Sequence, residues 1–67
     1  MMVKRSFSLA GHRTSVALEP EFWAALAGIA SGRGLTLVAL VAEIDARREA
    51  AGNLASALRV TALSCRG

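Results

Sequence analysis

The feature that most constrains this chain is a change of hydrophobic period between Arg13 and Pro20. Arg13-Thr14-Ser15-Val16-Ala17-Leu18 alternates, with Thr14, Val16 and Leu18 on one face and Arg13, Ser15 and Ala17 on the other, as in a half-buried strand. At Glu19-Pro20-Glu21 the alternation stops. Proline suits a first helical position, where its missing N–H costs nothing, and the two glutamates complement the positive end of a helix dipole. Glu19 is a poor N-cap, so the first helical residue is not fixed by sequence. Phe22, Trp23, Leu26, Ile29 and Ala30 then recur at three- and four-residue spacing, the stripe of an amphipathic helix.

Two more helix starts follow. Ser31-Gly32-Arg33-Gly34 ends the first helix, with Gly32 or Gly34 as the left-handed residue after its end. Thr36 caps a second helix, Leu37 to about Arg48, whose buried face is Leu37, Leu40, Val41 and Ile44 with Val38 adding width. Glu43 and Arg47 are four apart and favour each other, and the charges from Glu43 to Glu49 read as a solvated face. Ala50-Ala51-Gly52 closes this helix. Asn53 caps a third, lined on one face by Leu54, Leu58 and either Thr61 or Ala62. Gly28 inside the first helix costs up to about 1 kcal/mol against Ala unless helices approach closely there.

The opening nine residues leave two arrangements open. Val3, Phe7 and Leu9 alternate with Lys4, Ser6 and Ser8, but these apolar positions are odd-numbered where those of the next run are even. A bulge or turn at Ala10-Gly11-His12 reconciles the two faces. An in-chain hairpin fits; a basic arm preceding the strand is the preferred reading.

Size then sets the terms of stability. With 67 residues the chain makes one small domain, and a domain this short buries only about 60% of its unfolded surface. Cys65 is the only cysteine and His12 the only histidine, so neither a disulfide nor a four-ligand structural zinc is available. Yet 54% of residues are hydrophobic and the mean hydropathy is +0.45. This apolar excess predicts an obligate dimer.

The balance of 8 Lys and Arg against 5 Asp and Glu gives a net charge of +3, with Lys4, Arg5 and Arg13 all preceding the first acid, Glu19. A basic segment ahead of a helical body suits a polyanion such as nucleic acid or an anionic membrane surface. The amphipathic moment needed for a membrane-surface helix is missing from it, Ser6–Ala10 is too short and polar for a signal-peptide core, and no run approaches the ~20 apolar residues of a membrane span. The lone cysteine agrees with a reducing cytoplasm.

One strand and two helices within His12–Ile44, HRTSVALEPEFWAALAGIASGRGLTLVALVAEI, resemble the ribbon-helix-helix DNA-binding proteins. In detail the chain is similar to small bacterial members with a GHRTS-type strand and a further C-terminal helix. The resemblance runs from Lys4 to about Leu63. It implies a mostly helical fold with one short strand per chain and an intertwined homodimer, in which strands from two subunits pair as an intermolecular two-stranded antiparallel ribbon that enters the major groove. It divides the chain into a basic arm (1–11), a ribbon-helix-helix core (12–50) and a C-terminal helix and tail (51–67).

The same resemblance assigns residues. Arg13, Ser15 and Ala17 face base edges: Arg13 can donate two bonds to guanine, Ser15 can donate or accept, and Ala17 offers a methyl for thymine. Ala17 departs from the polar residue usual at that position. The second helix start grips phosphate through Thr36 and the N–H groups of Leu37 and Val38, with Arg33, Lys4 and Arg5 adding charge. Val16, Leu18, Trp23, Leu26, Leu37, Leu40, Val41 and Ile44 form the dimer core. Blander readings stand beside these: Arg13 and Ser15 as solvated strand residues, Thr36 as a plain cap, Trp23 as simple core.

Nothing resembles a catalytic constellation, because His12 beside Thr14 and Ser15 in one strand gives no triad geometry. The glycines match neither common phosphate-cradling pattern. No enzyme, metal or cofactor is expected. The partners expected are double-stranded DNA and a second copy of the chain, in a bacterial cytoplasmic, nucleoid-associated repressor or autoregulator. The alternative is an antitoxin or adaptor using the same dimer to bind a protein, against which the short tail counts.

Overall fold

The computed structural model describes residues 1–9, 11–47 and 53–64. Two strands, β1 (Val3–Leu9) and β2 (His12–Leu18), are followed by helices α1 (Pro20–Gly32), α2 (Leu37–Arg47) and α3 (Leu54–Ser64). The expected closure of the second helix at Ala50-Ala51-Gly52, and Cys65, lie outside the described residues.

The opening segment is a strand, not an arm. β1 pairs antiparallel with β2 of the same chain over its whole length, from Val3 opposite Leu18 to Leu9 opposite His12. There are thus two strands per chain where one was expected, and their pairing is within the chain. Between Leu9 and His12 lie two residues, and Gly11 takes a φ of +82°, which a side chain at that position disfavours. The antiparallel register puts odd residues of β1 and even residues of β2 on one face, so the change of parity is the signature of this hairpin and requires no bulge.

The inner face is anchored by α1. Phe7, Leu9, Val16 and Leu18 are buried, and the ring of Phe7 lies 5.8 Å from that of Trp23. The Trp23 indole Nε1–H donates to the Val3 carbonyl at 2.7 Å, and the Arg5 guanidinium sits 5.4 Å over the Trp23 ring. One aromatic residue therefore holds β1 at three points.

Helix ends follow the capping chemistry of their residues. Pro20 is the first residue of α1, and Glu19 offers no side-chain cap. At its other end Gly34, at φ +70°, donates to the Ser31 carbonyl at 3.1 Å, and Leu35 N–H donates to the Ala30 carbonyl at 2.8 Å. Those two bonds are a Schellman closure, so Gly34 and not Gly32 is the left-handed residue. Thr36 Oγ1 accepts from Ala39 N–H at 3.1 Å, and Asn53 Oδ1 accepts from Ser56 N–H at 2.7 Å, which caps α2 and α3 as expected. A Cβ built on Gly28 meets nothing within 4 Å, so close helix approach does not explain it.

Of the eight positions expected in a dimer core, Val16, Leu18, Trp23, Leu26, Leu40, Val41 and Ile44 are buried within one chain and Leu37 is half-buried. β1 supplies Phe7 and Leu9, and α3 supplies Leu54, Leu58 and Ala62, to the same cluster. Trp23 belongs to this core; Phe22 is half-buried, with the Arg59 guanidinium 6.0 Å from its ring. No single described helix is long and apolar enough to cross a membrane.

Candidate nucleic-acid interface

Because β1 and β2 bury their inner side chains on the helices, their other side chains form one solvent-facing strip. Across it Lys4 lies opposite Ala17, Ser6 opposite Ser15, and Ser8 opposite Arg13. All are exposed except Ala17, which is half-buried. The Ser6 and Ser15 hydroxyl oxygens are 3.1 Å apart and hydrogen-bonded, so the centre of the strip is polar and its two cations stand at opposite corners. The first two expected base contacts, Arg13 and Ser15, are therefore exposed side by side with β1 residues that sequence reasoning left in an arm.

Charge separates this strip from the rest of the chain. Residues 1–18 hold Lys4, Arg5 and Arg13 and no acid, while the other positive charges (8 − 3 = 5) match the 5 acids beyond them. The net charge of +3 thus resides wholly in the hairpin. Among the described residues Lys4 and Arg13 pair with no carboxylate, whereas the described arginines of the helical half do. Arg33 and Arg47 both reach Glu43 Oε1, at 3.0 and 3.1 Å, and Arg59 reaches Glu19 Oε1 at 3.3 Å.

These pairs shift the acids in the direction that electrostatics demands. The hydrogen bond from Arg33 comes first in holding the Glu43 carboxyl below its ordinary pKa; burial opposes it, and the charges of Arg33 and Arg47 add to it. Glu19 is lowered first by a hydrogen bond from its own backbone N–H and then by Arg59, with partial burial opposing both.

The expected phosphate contacts divide. Arg5 and Leu37 line one shallow groove with Val3, Pro20, Trp23, Ala24 and Ala27, so the start of α2 lies beside the edge of β1. The first-turn N–H groups of Leu37 and Val38 have no helical carbonyl to reach. Thr36 Oγ1 accepts the capping bond and retains its own proton to donate. Arg33 lies elsewhere, with Glu43 and Arg47 on a groove between α1, α2 and α3, and its charge is taken by Glu43. Lys4 is on the ribbon's outer strip, not behind it. His12 is exposed at the hairpin turn, and no cluster of metal-binding side chains occurs among the described residues.

A two-stranded antiparallel sheet leading into helices, with its exposed face polar and cationic, defines a ribbon-helix-helix architecture. A family model for the ribbon-helix-helix domain matches residues 2–65, and the chain belongs to that family. The match takes in β1 and α3, so both are part of the family unit and not appendages to it. Ribbon-helix-helix domains are typically non-enzymatic modules that bind DNA, generally as dimers. Comparisons with curated proteins and with solved structures give no match.

Proposed function

We propose that this protein is a sequence-specific double-stranded-DNA-binding homodimer, acting as a transcriptional repressor or autoregulator in the bacterial cytoplasm. One observation carries the reading: the net positive charge lies in the acid-free hairpin, whose exposed outer face presents Lys4 and Arg13 with serine hydroxyls as its other polar groups. Lysine and arginine attract the phosphate backbone, and Arg13 and the hydroxyls have the donors and acceptors that distinguish base edges in the major groove. The groove, about 12 Å wide, admits a two-stranded ribbon.

Mechanistically, the ribbon enters the groove with Arg13 and Ser15 on base edges and the half-buried Ala17 at most on a thymine methyl. The α2 start, through Leu37 and Val38 N–H and the Thr36 hydroxyl, takes a flanking phosphate, with Arg5 across the groove adding charge. Arg33 contributes less than its sequence position suggests, since it is paired with Glu43 on the groove between the helices. Selection of bound duplexes from a random pool tests the reading. The wild-type chain enriches one short motif, and Arg13→Ala weakens binding by about 1–3 kcal/mol and relaxes one base position. An unchanged motif in Arg13→Ala removes the assigned reading face. If ~6 phosphates are neutralised, log K falls against log salt with a slope near ~−5.

A further inference from the structure

We infer that the groove between α1, α2 and α3 is a binding site for a small amphipathic monocarboxylate, with the apolar tail on the groove lining and the carboxylate on Arg33 and Arg47. The residues that line it come from the three helices and the turn after α1, none from the hairpin. The site is therefore separate from the ribbon face, and it stands whether or not that face reads DNA.

Size and lining suit such a ligand. The groove encloses about 440 Å³, within the range of small-molecule sites, roughly 300–1,000 Å³. Leu40 and Ile44, one turn apart on α2, line it with Ala57 and Val60 of α3 and Ile29 of α1. Leu40 and Ile44 are buried, Ile29 and Ala57 half-buried, and Val60 is 58% exposed. Apolar surface thus runs from the core out to solvent, and covering it with a hydrocarbon tail is favourable.

Charge then selects the head group. Arg33 Nη2 and Arg47 Nη2 reach the same oxygen, Glu43 Oε1, at 3.0 and 3.1 Å. Two guanidiniums share one carboxylate there, whereas the Arg59–Glu19 pair is one to one. Among the described residues lining the groove, one positive charge is left over. A guanidinium carries five N–H donors, so both arginines retain donors for a second carboxylate. Both are more exposed than the apolar lining of α2, which puts the cations at the solvent side of the groove. The Thr61 hydroxyl is already engaged, donating to the Ala57 carbonyl at 2.9 Å. A single negative charge on an apolar body matches this arrangement. A bare inorganic anion leaves the apolar lining wet.

The test uses octanoate as probe and octan-1-ol as its uncharged counterpart, each titrated into the 15N-labelled full chain without DNA. Octanoate is expected to give saturable amide shifts at Ile29, Ile44 and Val60, with a Kd of about 1 mM or below. Arg33→Gln and Arg47→Gln are each expected to weaken octanoate by about 2- to 5-fold. Glu43→Gln, which removes the competing carboxylate, is expected to tighten it by a similar factor. Octan-1-ol affinity is expected to stay the same in all three variants.

Opposite signs within one ion-paired cluster separate a carboxylate site from a loss of structure, and the thermal transition of each variant serves as the folding control. Ala57→Leu, which fills the lining, is expected to weaken both probes. Three results overturn the site: no saturable shift with octanoate, shifts centred on the hairpin, or an octanoate affinity indifferent to the Arg33, Glu43 and Arg47 substitutions. Undiminished binding of both probes to Ala57→Leu overturns it as well. Because no duplex is present, none of these results bears on the DNA reading, which motif selection tests by itself.

Discussion

The two faces of the hairpin show how one strand serves folding and recognition without conflict. Along β2, Val16 and Leu18 are buried while Arg13 and Ser15, at positions of the opposite parity, are exposed. At an inward register position of β1, Arg5 stays exposed with its guanidinium over the Trp23 ring. On the outer face Lys4 and Arg13 meet no carboxylate among the described residues, whereas the described arginines of the helices are held by Glu19 or Glu43. Unpaired cations on the ribbon and paired ones among the described residues of the helices mean that net charge alone understates how strongly the two surfaces differ. Substitutions on one face should therefore move stability, and those on the other should move DNA binding.

The largest expected effect is on the inner face. Leu18 is fully buried, and Leu18→Ala should cost about 2–5 kcal/mol of stability in denaturant unfolding. Arg13→Ala, five positions away on the outer face, should leave that unfolding curve within about 0.5 kcal/mol of wild type while weakening DNA binding. A large stability loss in Arg13→Ala would break the separation. Thr36→Ala sharpens it from the other side: loss of the cap bond to Ala39 should cost about 1 kcal/mol of stability, with a reduced salt slope if the hydroxyl also meets phosphate. Gly28→Ala should stabilise by up to about 1 kcal/mol, since the site is open and helical, and leave DNA binding unchanged.

The smallest effect is electrostatic. Glu43 and Glu19 have lowered pKa values in the folded chain, so their contribution is complete above the ordinary value of 4.5 and is lost as pH falls through the lowered values. Thermal scans from neutral pH downwards should show a slight decline confined to the acid side, reduced in Glu43→Gln, whose sequence preference on DNA should match wild type. A changed preference in that variant would tie the helical arginines to recognition.

Much of this arrangement was legible in the residues. The alternation of Arg13–Leu18, Pro20 at a helix start, and the caps Thr36 and Asn53 each act through local chemistry, and each stands where the local pattern puts it. The opening strand was misread because its signals conflict. Arg5 sits at an inward position of β1, and Ala10-Gly11 is a weaker hairpin signal than Asn-Gly or Asp-Gly, so the parity change resembled a defect. What resolves it is Trp23, 20 residues beyond Val3, whose indole supplies the contact that makes an inward Arg5 tolerable. The residues expected in a dimer core were legible as apolar positions, and β1 and α3 add Phe7, Leu9, Leu54, Leu58 and Ala62 to the cluster they form within one chain. Arg33 likewise looked available for phosphate until Glu43, 10 residues on, proved to hold it.

Amide chemical-shift mapping on the 15N-labelled chain, titrated with its selected duplex, tests the central claim most directly. The account predicts perturbations concentrated at Lys4–Ser8, at Arg13–Ala17 and at the first turn of α2, with α3 beyond its first turn little affected. Perturbations centred on the groove between α1, α2 and α3, with the hairpin amides unmoved, would contradict it.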